Sequence, residues 1–170
     1  MEPAKDISVL FARTLPDEAA TAALAQDLAS FLRPGDVLAL WGDLGAGKTS
    51  FARALITRLS AEAEDVPSPT FTLVQTYPGQ VGETNEPVEL WHFDLYRLTA
   101  PEQAYDLAIE EAFQDGISLI EWPVRLGYLL PAKRLDLNLT LTEKAGQRRA
   151  EIAGNEVWHR RLAPLMTGEA

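Results

Sequence analysis

Hydrophobic positions recur along the chain with two different periods, one typical of strands and the other of helices. Segments that are continuously apolar, or that alternate apolar with polar residues, predict strands at 7–13, 37–41, 70–77, 88–96, 117–122, 135–142 and 147–152. Apolar residues spaced three and four apart predict helices at 16–32, 49–59, 99–113 and 155–165. Residues 78–87 follow neither period and contain glycine, asparagine and proline, which predicts a hairpin-like loop.

Two of the predicted helices begin with recognisable signals. Pro16 suits the first turn of a helix, and Asp17 and Glu18 complement the positive end of the helix dipole. Residues 99–102, Thr-Ala-Pro-Glu, have the form of a capping box.

The order of the elements predicts an α/β fold. Strands and helices alternate first and an antiparallel hairpin follows, so we expect a mixed sheet flanked by helices, with a C-terminal β-hairpin and helix. The sequence contains no internal repeat and no linker long enough to separate two units. We therefore expect a single domain over residues 1–170, with a core at about 7–165.

Composition narrows the classes of protein that fit this pattern. The 170 residues include 25 Asp and Glu against 15 Lys and Arg, and the net charge is −10. Such acidity argues against a wide basic surface for nucleic acid and against a polybasic membrane anchor. The chain has no cysteine, which excludes disulfides and thiolate chemistry. The apolar stretch near the start is too short to span a bilayer, so we expect a cytoplasmic protein without a membrane partner.

Residues 42–49, Gly-Asp-Leu-Gly-Ala-Gly-Lys-Thr, match the phosphate-binding pattern G-x-x-x-x-G-K-[ST]. The loop lies between an apolar strand and an amphipathic helix, so its amides and the helix N-terminus are placed to bind an anion. Lys48 is placed to bridge terminal phosphates, and the Thr49 hydroxyl to coordinate magnesium. The sequence therefore predicts a P-loop NTPase-like domain. The residues expected to hold the polyphosphate are Asp43, Leu44, Gly45, Ala46, Gly47, Lys48, Thr49 and Ser50.

A P-loop also needs an acid that supports magnesium and a group that orients the nucleophile. Asp94 and Glu121 each lie at the end of a predicted strand, where ligands of open α/β sheets bind. Thr70 follows a Ser-Pro pair and is a candidate switch residue that senses the terminal phosphate. Each of the three has a purely structural alternative, as a cap, a turn residue or an ion-pair partner.

Three further residues near these acids have two interpretations each. His92 could act as a general base, but its strand pattern favours a partly buried structural histidine. Tyr96 and Trp122 fit either core packing or an exposed role against a ligand or partner.

Four motifs in a fixed order resemble the TsaE family, formerly YjeE, the ATPases of bacterial tRNA threonylcarbamoyladenosine synthesis. They are the P-loop at 42–49, Ser-Pro-Thr-Phe-Thr-Leu-Val at 68–74, His-Phe-Asp-Leu-Tyr-Arg-Leu at 92–98 and Ile-Glu-Trp-Pro at 120–123. The resemblance extends from about residue 15 to 152. The sequence lacks the Asn-Lys-x-Asp element of GTPases and the arginine-rich lid of nucleotide kinases. Its one arginine pair in an alternating apolar context is Arg148-Arg149, for which a solvated hairpin turn is the structural alternative.

The resemblance implies roles for individual residues. Residues 68–70 would form the first switch, Asp94 would support hydrolysis by positioning water or magnesium, and Glu121 would be a magnesium ligand with Trp122 beside it. Lys48, Asp94, Glu121 and Thr70 would then be the catalytic set. Thr49, Glu121 and Asp94 would serve the metal. The residues implied near the nucleotide or its base are Asp17, Glu18, Trp122 and Arg148. The family often has a second acid two residues after the tryptophan, where this chain has Val124.

The resemblance also implies what the protein acts with. ATP or ADP with Mg²⁺ would occupy the site, and slow hydrolysis would reset a transferase formed by TsaB and TsaD. The tRNA would be contacted only indirectly, in agreement with the acidic charge. The alternatives from other classes are a P-loop small-molecule kinase and a nucleotide-gated binding module with little catalysis.

Overall fold

Seven strands form one mixed sheet in the computed structural model, which describes residues 6–168. Their bounds are β1 (Ser8–Leu15), β2 (Val37–Trp41), β3 (Val74–Val81), β4 (Glu86–Asp94), β5 (Ile117–Glu121), β6 (Leu135–Leu141) and β7 (Arg148–Gly154). The strand order across the sheet is β1-β7-β6-β2-β5-β4-β3. The predicted α/β class and mixed sheet are confirmed.

The middle of the sheet is parallel and its two sides are antiparallel. Strand β2 pairs in parallel with β5 and β6, and β5 pairs in parallel with β4. The antiparallel pairs are β1 with β7, β6 with β7, and β3 with β4. The carboxyl ends of β2, β4, β5 and β6 therefore lie at one edge of the sheet, which is where a ligand binds in such folds.

Helices cover both faces of the sheet, which explains why β2 is continuously apolar and why every residue of β5 is buried. The α-helices are α1 (Glu18–Ala29), α2 (Lys48–Leu59), α3 (Ile109–Asp115), α4 (Glu156–Arg161) and α5 (Ala163–Thr167). Two 3₁₀ helices cover Pro101–Leu107 and Pro123–Leu129. Helices α1 and α2 pack on one face with Leu38 and Leu40 of β2, whereas α3 packs on the other face with Val37. Within residues 6–168, no helix has the length and apolar character needed to cross a membrane.

The strand predicted over 70–77 and the loop predicted over 78–87 were both misplaced. Strand β3 begins only at Val74, because residues 69–73 form a turn in which the Leu73 amide donates to the Pro69 carbonyl and Leu73 has a φ of 67°. Strands β3 and β4 then continue to a short turn around residues 82–85. Pro78 fits in β3 because β3 is an edge strand, where a missing amide hydrogen is tolerated.

The helix predicted over 99–113 is broken in two. Ala108 has a φ of 58°, which separates the 3₁₀ helix from α3. The capping interaction also differs, since the Gln103 side chain accepts from the amides of Thr99 and Ala100. Glu102 instead accepts a hydrogen bond from the Tyr128 hydroxyl.

The C-terminal helix predicted over 155–165 is likewise two short helices, α4 and α5, which meet at Leu162. Asn155 caps α4, because its side chain accepts from the amides of Val157 and Trp158.

Candidate functional site

Strand periodicity brings three polar side chains to one face of the sheet, beside the start of α2. Alternate residues of β4 share a face, so His92 and Asp94 follow the buried Leu90 toward α2. On β5, Glu121 lies on the same face, because it is paired with Asp94 across the β4–β5 ladder. Glu121 also neighbours Leu40 of β2, the strand that leads into the phosphate loop.

The phosphate loop passes very close to strand β6. A Cβ atom on Gly42 would lie 2.5 Å from the carbonyl oxygen of Leu139, and Gly42 has a φ of 145°. Gly45 also has a positive φ, 82°, but no atom lies within 4 Å of where its Cβ would be. The first glycine therefore allows a close approach of two backbones, while the second allows only a turn.

The Lys48 side chain is folded back over the loop. Its Nζ donates to the carbonyl oxygens of Gly42 at 2.6 Å and Asp43 at 2.9 Å. The same ammonium lies 4.3 Å from the centroid of the Trp122 ring. Trp122 has a φ of 58°, a backbone conformation that residues other than glycine rarely adopt. The lysine is thus buried between carbonyl oxygens and an aromatic face.

Burial also changes the acidity of the Lys48 ammonium. It lowers the pKa of the Lys48 ammonium, because the charged form is less solvated inside the protein. The carboxylates of Glu121, Asp94 and Asp43 oppose that shift by favouring the positive charge. The ammonium therefore lies in a region of negative potential. A phosphate group can bind Lys48 there only by competing with the carbonyl oxygens and carboxylates that surround it.

Glu121 is bound on both of its carboxylate oxygens. Oε1 accepts from the Thr49 hydroxyl at 2.7 Å, and Oε2 lies 2.7 Å from Nε2 of His92. Glu121 and His92 are both buried. The P-loop threonine and the strand-end acid predicted from sequence are therefore in direct contact.

Asp94 is connected to the segment predicted as the first switch. The Thr70 hydroxyl donates to Oδ2 of Asp94 at 3.3 Å and lies 2.8 Å from the Ser68 hydroxyl. The Tyr96 amide donates to Oδ1 at 3.2 Å, and the Asp94 amide donates to the Leu73 carbonyl. The turn at 69–73 is thus fixed against the end of β4.

These groups converge on one cavity of about 270 Å³ above the sheet edge. It joins the P-loop, the 68–70 segment, the ends of β4 and β5, and the start of β7. Its lining consists of Leu44, Gly45, Gly47, Lys48, Thr49, Ser50, Ser68, Thr70, Asp94, Glu121, Trp122 and Arg148. All four residues predicted to be catalytic are among them. Of the predicted phosphate-holding residues, Asp43 and Ala46 lie in the loop but do not line this cavity.

An adjoining cavity of about 320 Å³ contains the residues predicted near the base. Asp17 and Glu18 line it together with Gly146. Ser50 and Arg148 line both cavities, so the two are contiguous. Asp17 also caps α1 through a 2.8 Å hydrogen bond from the Ala20 amide, which gives this residue a structural role of its own.

Arg148 fastens the start of β7 to the phosphate loop. Its Nε donates to the carbonyl of Ala46 at 3.0 Å, and its Nη2 donates to that of Gly45 at 3.2 Å. A solvated hairpin turn was the sequence-based alternative for the pair Arg148-Arg149. That interpretation is wrong for Arg148, whereas Arg149 is exposed.

Sequence reasoning missed two features of the site. The contact between His92 and Glu121 depends on the register of β4 against β5, which no local pattern encodes. The pairing of Tyr96 with Trp122, whose ring centroids are 5.0 Å apart, depends on the unusual backbone of Trp122. The general-base interpretation of His92 finds no support, because its ring is fully buried and does not line the cavity.

The donor set fits a phosphate–magnesium site. The loop offers backbone amides and one ammonium, while Thr49, Asp94 and Glu121 offer hard oxygen atoms, the ligands that magnesium prefers. Over residues 6–168 there is no cluster of three or more His, Cys, Asp or Glu side chains arranged to hold a metal. Magnesium is usually held by one or two protein oxygens together with substrate phosphates and water, and the oxygens of Thr49, Asp94 and Glu121 would suffice for that.

Comparisons with known proteins agree with the motifs. The family model for "Threonylcarbamoyl adenosine biosynthesis protein TsaE" matches residues 15–150. The chain is similar to the tRNA threonylcarbamoyladenosine biosynthesis protein TsaE of Rickettsia felis, with 41% identity over 76% of this chain and 72% of that protein. It is similar to the TsaE protein of Bacillus subtilis, with 37% identity over 85% of this chain and 84% of the relative.

A solved structure shares the fold. The crystal structure of YdiB from Bacillus subtilis superposes with a TM-score of 0.69 at 24% identity, over 94% of this chain and 95% of that one. Because the family model covers most of the sequence and the relatives exceed 35% identity, this chain belongs to the TsaE family, whose members here are named tRNA threonylcarbamoyladenosine biosynthesis proteins.

Proposed function

We propose that this protein is a cytoplasmic P-loop ATPase that binds ATP with magnesium and hydrolyses it for tRNA threonylcarbamoyladenosine synthesis. The observation that carries the proposal is the convergence of Lys48, Thr49, Asp94 and Glu121 on one cavity at the phosphate loop. In this proposal hydrolysis supports turnover of the TsaB–TsaD transferase, which modifies N6 of adenosine 37 in tRNA. Family membership supports the pathway, and the cavity supports the chemistry.

The two contiguous cavities divide the nucleotide between them. The loop amides and Lys48 take the phosphates of ATP or ADP, since a helix N-terminus and an ammonium both favour anions. The cavity with Asp17, Glu18 and Arg148 takes the nucleoside. For Lys48 to contact phosphate, its Nζ exchanges the carbonyls of Gly42 and Asp43 for phosphate oxygens.

Thr49, Glu121 and Asp94 would hold magnesium on one side of the site. The Thr49 hydroxyl donates a hydrogen bond to Glu121, so the lone pairs of its oxygen remain free for a metal ion. When bound, magnesium neutralises charge that develops on the phosphates. Asp94, with Thr70 and Ser68 beside it, orients the attacking water.

The isolated protein is expected to hydrolyse ATP slowly. The arginine among the described residues that line the phosphate cavity is Arg148, and its guanidinium is already bonded to Gly45 and Ala46. An arginine free to stabilise the transferring phosphate can be worth about 10³–10⁵ in rate. A partner therefore supplies that charge or orders the 68–70 segment.

The protein is expected to bind tRNA only weakly by itself, because its net charge of −10 repels the phosphate backbone.

ATP turnover measured with and without TsaB and TsaD tests the proposal. We expect slow turnover alone, a clear increase with both partners together, and loss of turnover in Lys48→Ala. Glu121→Ala should reduce magnesium-dependent turnover while the fold persists. Unchanged turnover in both variants, or no effect of the partners, would refute the assignment.

No structural observation favours the small-molecule kinase. A separate cavity of about 350 Å³, large enough to hold a small acceptor molecule, lies between Trp41, Val124 and Leu139. Of the described residues, only Trp122 lines both that cavity and the phosphate cavity, so an acceptor there would not face Thr49 or Asp94. The other alternative, a nucleotide-gated binding module with little catalysis, predicts no appreciable ATP turnover with or without TsaB and TsaD, so the same assay distinguishes it.

A further inference from the structure

His92 lies where an apolar row of the sheet meets the polar residues of the site. On its own strand the neighbours on this face are the fully buried Leu90 and the site residue Asp94. Across the ladders it faces the fully buried Leu119 on β5 and the half-buried Gln75 on β3. An imidazole is costly to bury unless a hydrogen bond compensates for lost solvation. The bond that His92 makes is to Oε2 of Glu121, at 2.7 Å. The bond to Glu121 therefore compensates for the burial of the His92 ring.

The surroundings of the ring assign its proton. Nδ1 of His92 is buried and, over residues 6–168, has no hydrogen-bond partner. A carboxylate accepts hydrogen bonds and does not donate them, so the 2.7 Å contact with Oε2 of Glu121 places a hydrogen on Nε2. Nε2 is therefore the donor and the Glu121 carboxylate is the acceptor.

The consequence for Glu121 is a fixed orientation. With Oε2 held by His92, the carboxylate presents Oε1 to the Thr49 hydroxyl, 2.7 Å away. Without the imidazole, the buried Oε2 would lose its partner and the carboxylate could rotate away from Thr49. The Thr49 hydroxyl would then lose the acceptor that orients it, and its lone pairs would no longer be held toward the cavity.

We propose that His92 is a positioning residue that fixes Glu121 against Thr49 and so sets how strongly magnesium increases the affinity for ATP. His92 does not line the cavity, and it acts only through Glu121. The inference rests on the ATP–magnesium site proposed above. Partners that orient metal-binding groups in this way typically change metal affinity by about 10- to 100-fold when they are removed.

Two amide substitutions separate the roles of the ring nitrogens. In His92→Gln the side-chain amide reaches the position of Nε2 and still donates to Glu121. In His92→Asn the shorter amide reaches only the position of Nδ1, where the native ring has no partner. His92→Phe keeps the breadth of the ring and donates nothing. Leu119→Val is the matched control, since it perturbs the cross-strand neighbour without changing a polar contact.

The measurement is the dissociation constant of a non-hydrolysable ATP analogue with and without Mg²⁺, by calorimetry, together with Tm. We expect the magnesium-dependent gain in affinity to fall about 10-fold or more in His92→Asn and His92→Phe. It should be largely retained in His92→Gln and Leu119→Val, and affinity without magnesium should be similar in all variants.

Each outcome decides the question. A normal magnesium effect in His92→Phe or His92→Asn overturns the proposal, as does an equal loss in His92→Gln, since that loss would follow from packing alone. If either His92→Asn or His92→Phe does not fold, the other variant, which also lacks a donor at the position of Nε2, decides the question. Wild-type protein that binds the analogue without any magnesium effect would overturn the proposed ATP–magnesium site as well, so the two failures are distinguishable.

Discussion

Gly42→Ala should destabilise the protein more than Gly45→Ala, although both place a methyl group on the same loop. The two glycines share a positive φ, 145° and 82° respectively. They differ in space, because the new Cβ would lie 2.5 Å from the Leu139 carbonyl at position 42 and in open space at position 45. The difference in unfolding free energy between the two variants therefore measures how strongly the close approach of the loop to β6 limits position 42.

The expected magnitudes follow from these contacts. At position 45 only backbone strain applies, which is about 1–2 kcal/mol for a Cβ in the left-handed region. At position 42 the strain is about 1–3 kcal/mol. Crowding against backbone that cannot easily move adds a further 1–3 kcal/mol, roughly. Gly42→Ala should thus lose about 2–6 kcal/mol of unfolding free energy.

Urea denaturation followed by tryptophan fluorescence measures both losses, and nucleotide titration gives a second readout. If Gly42→Ala moves the loop instead of unfolding the protein, the Lys48 bond to the Gly42 carbonyl is disturbed and nucleotide affinity falls. Equal stability and equal nucleotide affinity in the two variants would show that the contact with Leu139 does not constrain the loop.

Three further predictions test other contacts of the site and core. Thr49→Val should cost about 1–3 kcal/mol in denaturation, because the buried Glu121 loses a donor, whereas Thr49→Ser should be close to wild type; equal losses would refute that bond. Arg148→Ala should weaken nucleotide binding about tenfold, or ~1.4 kcal/mol by calorimetry, by freeing the loop carbonyls, and unchanged affinity would contradict this role. Burial raises the pKa of Asp36 above its ordinary 3.8, so its contribution to stability is present at low pH and is lost as pH rises through the folded-state pKa. Thermal melts from pH 4 to 7 should therefore show the Tm of wild type falling relative to that of Asp36→Asn. A Tm difference between the two that stays constant with pH would contradict the raised pKa of Asp36.

Local chemistry accounts for the parts of the fold and site that the sequence predicted well. The P-loop and the strand before it are defined by neighbouring residues, so Lys48 and Thr49 could be placed without knowledge of distant contacts. Asp94 and Glu121 were found because both end strands, and parallel strands end at one edge.

The errors have a different origin, since they depend on contacts between segments distant in sequence. Residues 70–73 have strand-like composition, yet the bond between the Leu73 carbonyl and the Asp94 amide holds them in a turn. Arg148 looked solvated because its partners, Gly45 and Ala46, lie about a hundred residues earlier. The role of His92 needed the exact register of β4 and β5.

In the proposed ATPase, the folded-back position of Lys48 has a consequence for product release. Its ammonium has two carbonyl partners and an aromatic face to return to when phosphate leaves. Departure of phosphate therefore does not leave a buried positive charge without partners, which would be expensive. If Lys48 holds the nucleotide as proposed, the same residue would also make nucleotide loss less costly, and the site would favour exchange of its ligand as well as retention.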